Sequence, residues 1–248
     1  MRSKIIITII GLLSAVQLQA QIITDRPDQT ESSSTVGNGN LQIETGFLIA
    51  FEGEAERSDR QILAPTSLFR YGITENVEIR FLSQFEARRN GNTHIHGISD
   101  LEIGTKIQIF KREDKNTEIA FLSHLILPTG TAELSDDEFG TINKLSVSHA
   151  ANDRVGIGYN LGYDYFGTGK GNLTYSLAIG VGVNDKVGIY VEPYGEFTDF
   201  TEYISNFDAG MTYLANENLQ FDFSFGTGIN QRMNYLSLGF SWLMNREE

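Results

Sequence analysis

"NENLQFDFSFGTG" (residues 216–228) places Leu219, Phe221, Phe223 and Phe225 at every second position, with Gln220, Asp222, Ser224 and Gly226 between them. Alternation of this kind is the side-chain period of a β-strand, giving it one apolar and one polar face. The apolar face must meet either a protein core or another apolar medium. The same parity recurs through the second half of the chain. It collects Val155, Ile157, Tyr159, Leu161 and Tyr163, then Leu173, Tyr175, Leu177, Ile179 and Val181. Val187, Ile189 and Val191 follow, and the set closes with Leu236, Leu238, Phe240 and Trp242. None of these is charged. The opposite parity carries Asp164, Lys186, Glu192, Glu196, Asp208 and Asp222, beside Gly156, Gly158, Gly180, Gly182 and Gly239.

A basic side chain on the lipid face of a transmembrane barrel costs roughly 2–4 kcal/mol at mid-bilayer, and acidic ones somewhat less. Confining every charge to the other face is the pattern that lipid exposure selects. A soluble β-sandwich also alternates, but its strands usually run about 5–6 residues. Its polar face also meets bulk water, whereas small residues and glycines suit the concave interior of a closed barrel. The expectation is an all-β, antiparallel transmembrane β-barrel.

Segments of strand character fall near 41–51, 61–72, 77–86, 98–110, 117–127, 141–151, 154–165, 172–183, 186–197, 206–215, 219–229 and 234–244. Two kinds of break separate them. The short ones resemble one another: "ITENVEI", "ANDRVGI", "VNDKVGI" and "ANENLQF", with "EDKNTEI" as a looser copy. Asn and Asp tolerate positive φ and suit tight hairpins. The other breaks, at 52–60, 87–97, 128–140, 166–171 and 198–205, are longer and more polar. Short turns on one side and long loops on the other is the asymmetry of an outer-membrane barrel. Periplasmic termini require an even strand count, which about twelve strands satisfy. Pro65 and Pro193 lack a ladder donor and are expected at bulges or strand ends.

The first twenty residues, "MRSKIIITIIGLLSAVQLQA", have two basic residues, an apolar run from Ile5 to Val16, and Ala20 after a short polar stretch. This is the layout of a secretory signal peptide, with cleavage expected after Ala20. Losing Arg2 and Lys4 moves the formal charge from −13 to −15. So acidic a chain is a poor partner for nucleic acid. It contains no cysteine, which excludes disulfides and thiolate zinc sites. The division expected is a signal peptide at 1–20, a polar N-terminal leader at 21–39 and a transmembrane barrel at 40–248.

Several stretches resemble a known family: "TDRPDQTESS" (24–33), "LQIETGF" (41–47), "LFRYGITENVEIRF" (68–81), "SDLEIGTK" (99–106), "LPTG" (127–130) and "NLGYDY" (160–165). Together they resemble the outer-membrane phenol meta-pathway degradation family of Gram-negative bacteria, whose members are described as transporters. The resemblance implies an outer-membrane barrel concerned with passage of small, often apolar or aromatic compounds. Barrels of this kind often finish on an aromatic residue recognised by the barrel-assembly machinery. Here the ending is "WLMNREE", so an internal signal around Phe240 to Leu243 is expected.

Arg70, Glu78, Arg80, Asp100, Glu102 and Lys106 fall on the inward parity of three consecutive strands. They can pair across the ladder as a solvated, mutually neutralising filling, or form a constriction that selects solutes. The leader holds Asp25, Arg26, Pro27, Asp28 and Glu31. It is either a disordered periplasmic tail or a segment tucked into the lumen as a plug, meeting Arg70 and Arg80. The resemblance to the family's leader favours an ordered role.

Catalysis needs a nucleophile with a base in reach. Ser146, Ser148 and His149 are the candidates, but Ser148 and His149 point to opposite faces near the periplasmic rim, so an enzyme is not expected. His94 and His96 ("HIH") and the carboxylates of "SDDE" (135–138) could hold a divalent cation loosely. Polar loops facing lipopolysaccharide are the plainer reading, and no metal site or cofactor is expected. "GTGKGN" (167–172) lacks the spacing of a phosphate loop. The expected partners are outer-membrane lipid and lipopolysaccharide, the assembly machinery, and a small-molecule solute, with the protein acting as a monomer. Two functions fit: a passive transporter or channel, and a non-transporting structural or surface-interaction barrel.

Overall fold

The tight breaks fold as hairpins because their asparagines serve as acceptors. Asn152 Oδ1 takes the N–H groups of Arg154 and Val155, and Asn184 Oδ1 takes those of Lys186 and Val187. Asn216 Oδ1 does the same for Asn218, and Thr74 Oγ1 for Asn76. These are Asx and ST turns, in which a short side chain stands in for a turn carbonyl. Among the described residues of these turns, positive φ, the property anticipated for them, is used only by Asn116.

The computed structural model describes residues 22–53, 59–112 and 116–245. The expected signal peptide lies outside them. The strands are β1 (Leu41–Glu52), β2 (Asp59–Thr74), β3 (Val77–Asn90), β4 (Thr93–Ile98), β5 (Leu101–Arg112), β6 (Thr117–Leu127) and β7 (Gly140–Ala150). They continue as β8 (Val155–Tyr165), β9 (Asn172–Gly182), β10 (Val187–Thr198), β11 (Glu202–Asn216), β12 (Leu219–Gly228) and β13 (Met233–Met244).

Twelve of these close into an antiparallel barrel. β1 pairs with β2 on one side and with β13 on the other, from Leu41↔Met244 to Glu52↔Met233. β3 pairs with both β2 and β5. β4 pairs only with the far end of β3, forming a hairpin that stands beyond the barrel wall. The segment 87–97, expected as a loop, is therefore this hairpin. The break expected at 198–205 is also shorter, because β11 begins at Glu202 and the connection turns through positive φ at Asp199 and Phe200. Pro65 sits at a register shift between Leu63 and Thr66. Pro193 does not: it lies in mid-strand, where β10 keeps its register with β9 but the ladder skips Glu192 and Pro193.

The apolar parity faces out. Leu161 is 62% exposed and Leu238 60%, while Arg70 and Lys106 on the opposite face are 0% exposed. Phe47, Phe81, Ile103, Phe121, Leu145, Ile179, Ile189, Tyr213 and Trp242 continue the exposed belt around the circumference. A soluble domain would bury such a belt. With charges inside and hydrocarbon side chains outside, the medium that satisfies this surface is a lipid bilayer.

Candidate functional site

Residues 22–40 precede β1 and run inside the barrel. Their side chains and backbone bond to strands on all sides of the lumen. Glu44 of β1 accepts from the Asp25 N–H, and Arg80 of β3 donates to both Asp25 and Glu31. Glu118 of β6 accepts from Ser34, Asn160 of β8 from the Glu31 N–H, and Glu192 of β10 from the Gln29 N–H.

The centre of one wall is an ion cluster around Asp25. Lys106 Nζ lies 2.8 Å from both Asp25 oxygens, Arg80 Nη1 2.5 Å from Oδ2, and Arg70 Nη1 3.3 Å from it. Arg70 also donates to both oxygens of Glu78 (2.9 and 3.1 Å) and to Glu44 (2.9 Å). Arg80 adds Glu78 at 3.0 Å and Glu31 at 2.9 Å. Burial pushes the Asp25 carboxyl up, but Arg70, Lys106 and Arg80 together outweigh it and hold it well below the usual carboxylate range. Arg80 Nε also donates to His124 Nε2 at 2.9 Å. That nitrogen must then be the unprotonated one, so Nδ1 carries the proton and donates it to Glu102 at 2.7 Å.

Of the six inward residues singled out, Arg70, Glu78, Arg80 and Lys106 thus meet in one cluster, and Glu102 joins through His124. Asp100 does not. It lies between β4 and β5 rather than on a strand, and it caps the β6–β7 loop. There Oδ1 accepts from the N–H groups of Thr129 (3.0 Å) and Gly130 (2.8 Å), and Oδ2 from Ser135 (3.0 Å).

The leader's other charges go elsewhere. Arg26 bonds to Asp222 through Nε (3.3 Å) and Nη2 (2.9 Å), with Ser237 at 3.1 Å. Its guanidinium occupies the space that a Cβ on Gly46 or Gly239 would need. These two glycines are cross-strand partners on β1 and β13, so their missing side chains form a flat seat. Among the described residues, Asp28 has no arginine as hydrogen-bond or ion-pair partner. Burial first, and then the neighbouring Glu192, push its carboxyl well above the ordinary value. Nearby, Tyr235 donates to Asp208 at 2.6 Å, while Thr30 donates to Glu192 and shares a hydrogen bond with Ser176.

Gln29 to Glu31 cross the lumen at the level of Asn160, Ser176 and Glu192, dividing what space remains. Towards the short turns lies a cavity of about 540 Å³, whose wall includes Ser148, Gly156, Gly158, Ala178, Gly180 and Tyr190. A neighbouring one of about 300 Å³ reaches Gly182 and Gly188. Towards the long loops, Lys144, Asn160, Asp164, Tyr194 and Glu196 line about 210 Å³. All three spaces border β7–β11, where many inward positions are glycine, alanine or serine.

Ser146 is fully buried without a partner among the described residues. His149 shares hydrogen bonds with Thr117 (2.9 Å) and Tyr159 (3.3 Å), not with either serine. Sequence reasoning named Asp28, Glu192 and Asp208 but missed their grouping, and it missed Glu44, His124 and the seat of Arg26. The inward glycines on facing strands were the available signal for that seat.

The closed barrel, its apolar exterior and its charged lumen define an outer-membrane β-barrel of the porin-like kind. A family model described as "Putative MetA-pathway of phenol degradation" matches residues 24–243, and the chain belongs to that family. Among solved structures, the chain resembles the KdgM porin in complex with disordered oligogalacturonate. Identity is 10% and the TM-score 0.57, over 82% of this chain and 99% of that one. It also matches the CymD monoaromatic hydrocarbon channel at 10% identity and a TM-score of 0.47, over 86% and 90% of the two chains. No curated protein sequence matches.

Proposed function

We propose that the protein is a passive channel for small uncharged solutes, with an aperture set by its own leader. The observation that carries this reading is the uneven filling of the lumen. The leader occupies the ion-paired wall, and the remaining space follows the glycine-rich wall from one mouth towards the other. The described cations of the cluster are neutralised by neighbouring carboxylates. Towards the long loops, Asp164 and Glu196 line the remaining space against Lys144, so anions are disfavoured at that end. The family's description points to an aromatic solute of phenol's size.

Proteoliposomes holding the mature chain should pass phenol-sized neutral solutes faster than protein-free vesicles, and benzoate distinctly less well. Absence of flux for every solute would favour the non-transporting barrel, and preference for benzoate would overturn the charge argument.

A further inference from the structure

At the long-loop rim, a cationic cluster lies on the outside of the barrel. Arg60 of β2 stands opposite Arg89 of β3, which stands opposite His94 of β4. Residues opposite one another in an antiparallel ladder share a face. Stepping two residues along each strand keeps that face and passes Ala87 and His96, then Phe85 and Ile98. Phe85 and Ile98 are exposed members of the apolar belt. The cations therefore stand on the lipid side, directly above that belt.

Two like charges held opposite each other in a ladder destabilise it unless something neutralises them. Among the described residues, neither Arg60 nor Arg89 has a hydrogen-bond or ion-pair partner, and Arg89 Nε is buried with no acceptor. Arg88, on the other face, is by contrast paired with Glu86. Asp59 belongs to the other parity, opposite Glu52, and its carboxylate faces the Asn90 amide. In a chain of formal charge −13 such a concentration of positive charge is not background. A cleft of about 330 Å³ lies among Arg60, Phe85, Arg89, His94 and His96.

We infer that this cleft binds a phosphate of the glycolipid headgroup in the outer leaflet. The guanidinium pair supplies charge-assisted donors for phosphate oxygens. The acyl chains of the same molecule lie down over Phe85 and Ile98, which a free anion could not use. A divalent cation held by His94 and His96 is disfavoured, because both arginines would repel it.

The test uses the full mature protein in detergent, with purified bisphosphorylated lipid A, its dephosphorylated counterpart and inorganic phosphate as probes. Native mass spectrometry of wild type should show the phosphorylated lipid retained roughly tenfold better than the dephosphorylated one, the ratio that one good charge-assisted contact supplies. The double variant Arg60→Gln/Arg89→Gln should lose that preference, while Lys170→Gln on another loop keeps it. Equal retention of both lipids by wild type overturns the inference, and this comparison stands even where the double variant fails to fold. Displacement of the lipid by low millimolar inorganic phosphate would assign the cleft to free anions and overturn the lipid assignment.

Discussion

The two walls of the lumen are built on opposite plans. On the β1–β6 side, Arg70, Arg80 and Lys106 are fully buried and tied to Asp25, Glu31, Glu44 and Glu78. On the β7–β10 side, the inward positions include Ser146, Gly156, Gly158, Ser176, Ala178 and Gly180, and a Cβ added at Gly156 or Gly180 would meet nothing within 4 Å. Both walls descend from the same alternation, so period alone does not distinguish them. The difference lies in what faces each: a covalently attached ligand on one side, open space on the other. A charged wall is tolerable in a narrow lumen only when every charge is matched, and the leader supplies the missing carboxylates.

The largest expected effect comes from removing that match altogether. A mature form lacking residues 21–36 should show larger single-channel conductance in planar bilayers than the full mature chain. Raising salt from about 0.1 to about 1 M should not open the full chain in the same way, since buried pairs are screened far less than exposed ones. Equal conductance of the two forms would mean that the leader does not restrict the path.

A single-atom version separates the two acidic leader residues. Asp25→Asn leaves three buried cations short of a partner and should lower unfolding stability in micelles by about 3–5 kcal/mol at neutral pH. Asp28→Asn should be neutral or stabilising, because Asp28 sits beside Glu192 rather than a cation. The pH dependence follows from the Asp25 carboxyl, held well below its unfolded value. Its contribution is present above the unfolded value of about 3.9 and is lost as pH falls from there towards the folded value. The deficit of Asp25→Asn should therefore shrink below about pH 4. A deficit independent of pH would argue for a packing role instead.

Placing a basic residue on each face tests the inside–outside assignment. Phe223→Arg, on the lipid side, should impair folding into bilayers by roughly 2–4 kcal/mol. Gly156→Arg, on the open wall, should cost distinctly less, and equal costs would break the comparison.

The smallest expected effect concerns bulk. Gly46→Ala intrudes on the Arg26 guanidinium and should cost about 1–3 kcal/mol as overpacking, whereas Gly156→Ala should be near neutral. Urea midpoints of the two variants decide this.

Much of the barrel was legible because lipid enforces a strict rule on one face. Nine of the twelve segments begin and end within about two residues of the observed strands, as at 117–127 and 219–229. Beyond the membrane the rule lapses, and there the reading failed. β4 was missed because its pattern "THIHGI" answers to water on one side, and the early start of β11 was hidden by the polar run before Asn206. Within the lumen, alternation identified Arg70, Glu78, Arg80 and Lys106 as inward, and a leader meeting Arg70 and Arg80 was one of two alternatives. Alternation could not choose between them or pick Asp25 as the centre, because those contacts span up to 81 residues. Asp100 was misplaced by extending strand parity into a loop. Arg26 was named, yet its partner Asp222 lies 196 residues away.

The seat of Arg26 also has a bearing on the order of assembly. Gly46 and Gly239 face each other across the seam where β1 and β13 meet, so the two halves of the seat come together only when that seam has zipped. Asp222 and Ser237 belong to β12 and β13. A residue ahead of β1 thus waits for a partner 196 residues further on, and docks on a sealed cylinder. Arg26 is in this sense a latch that reads closure, and the leader is fastened by the event that completes the wall.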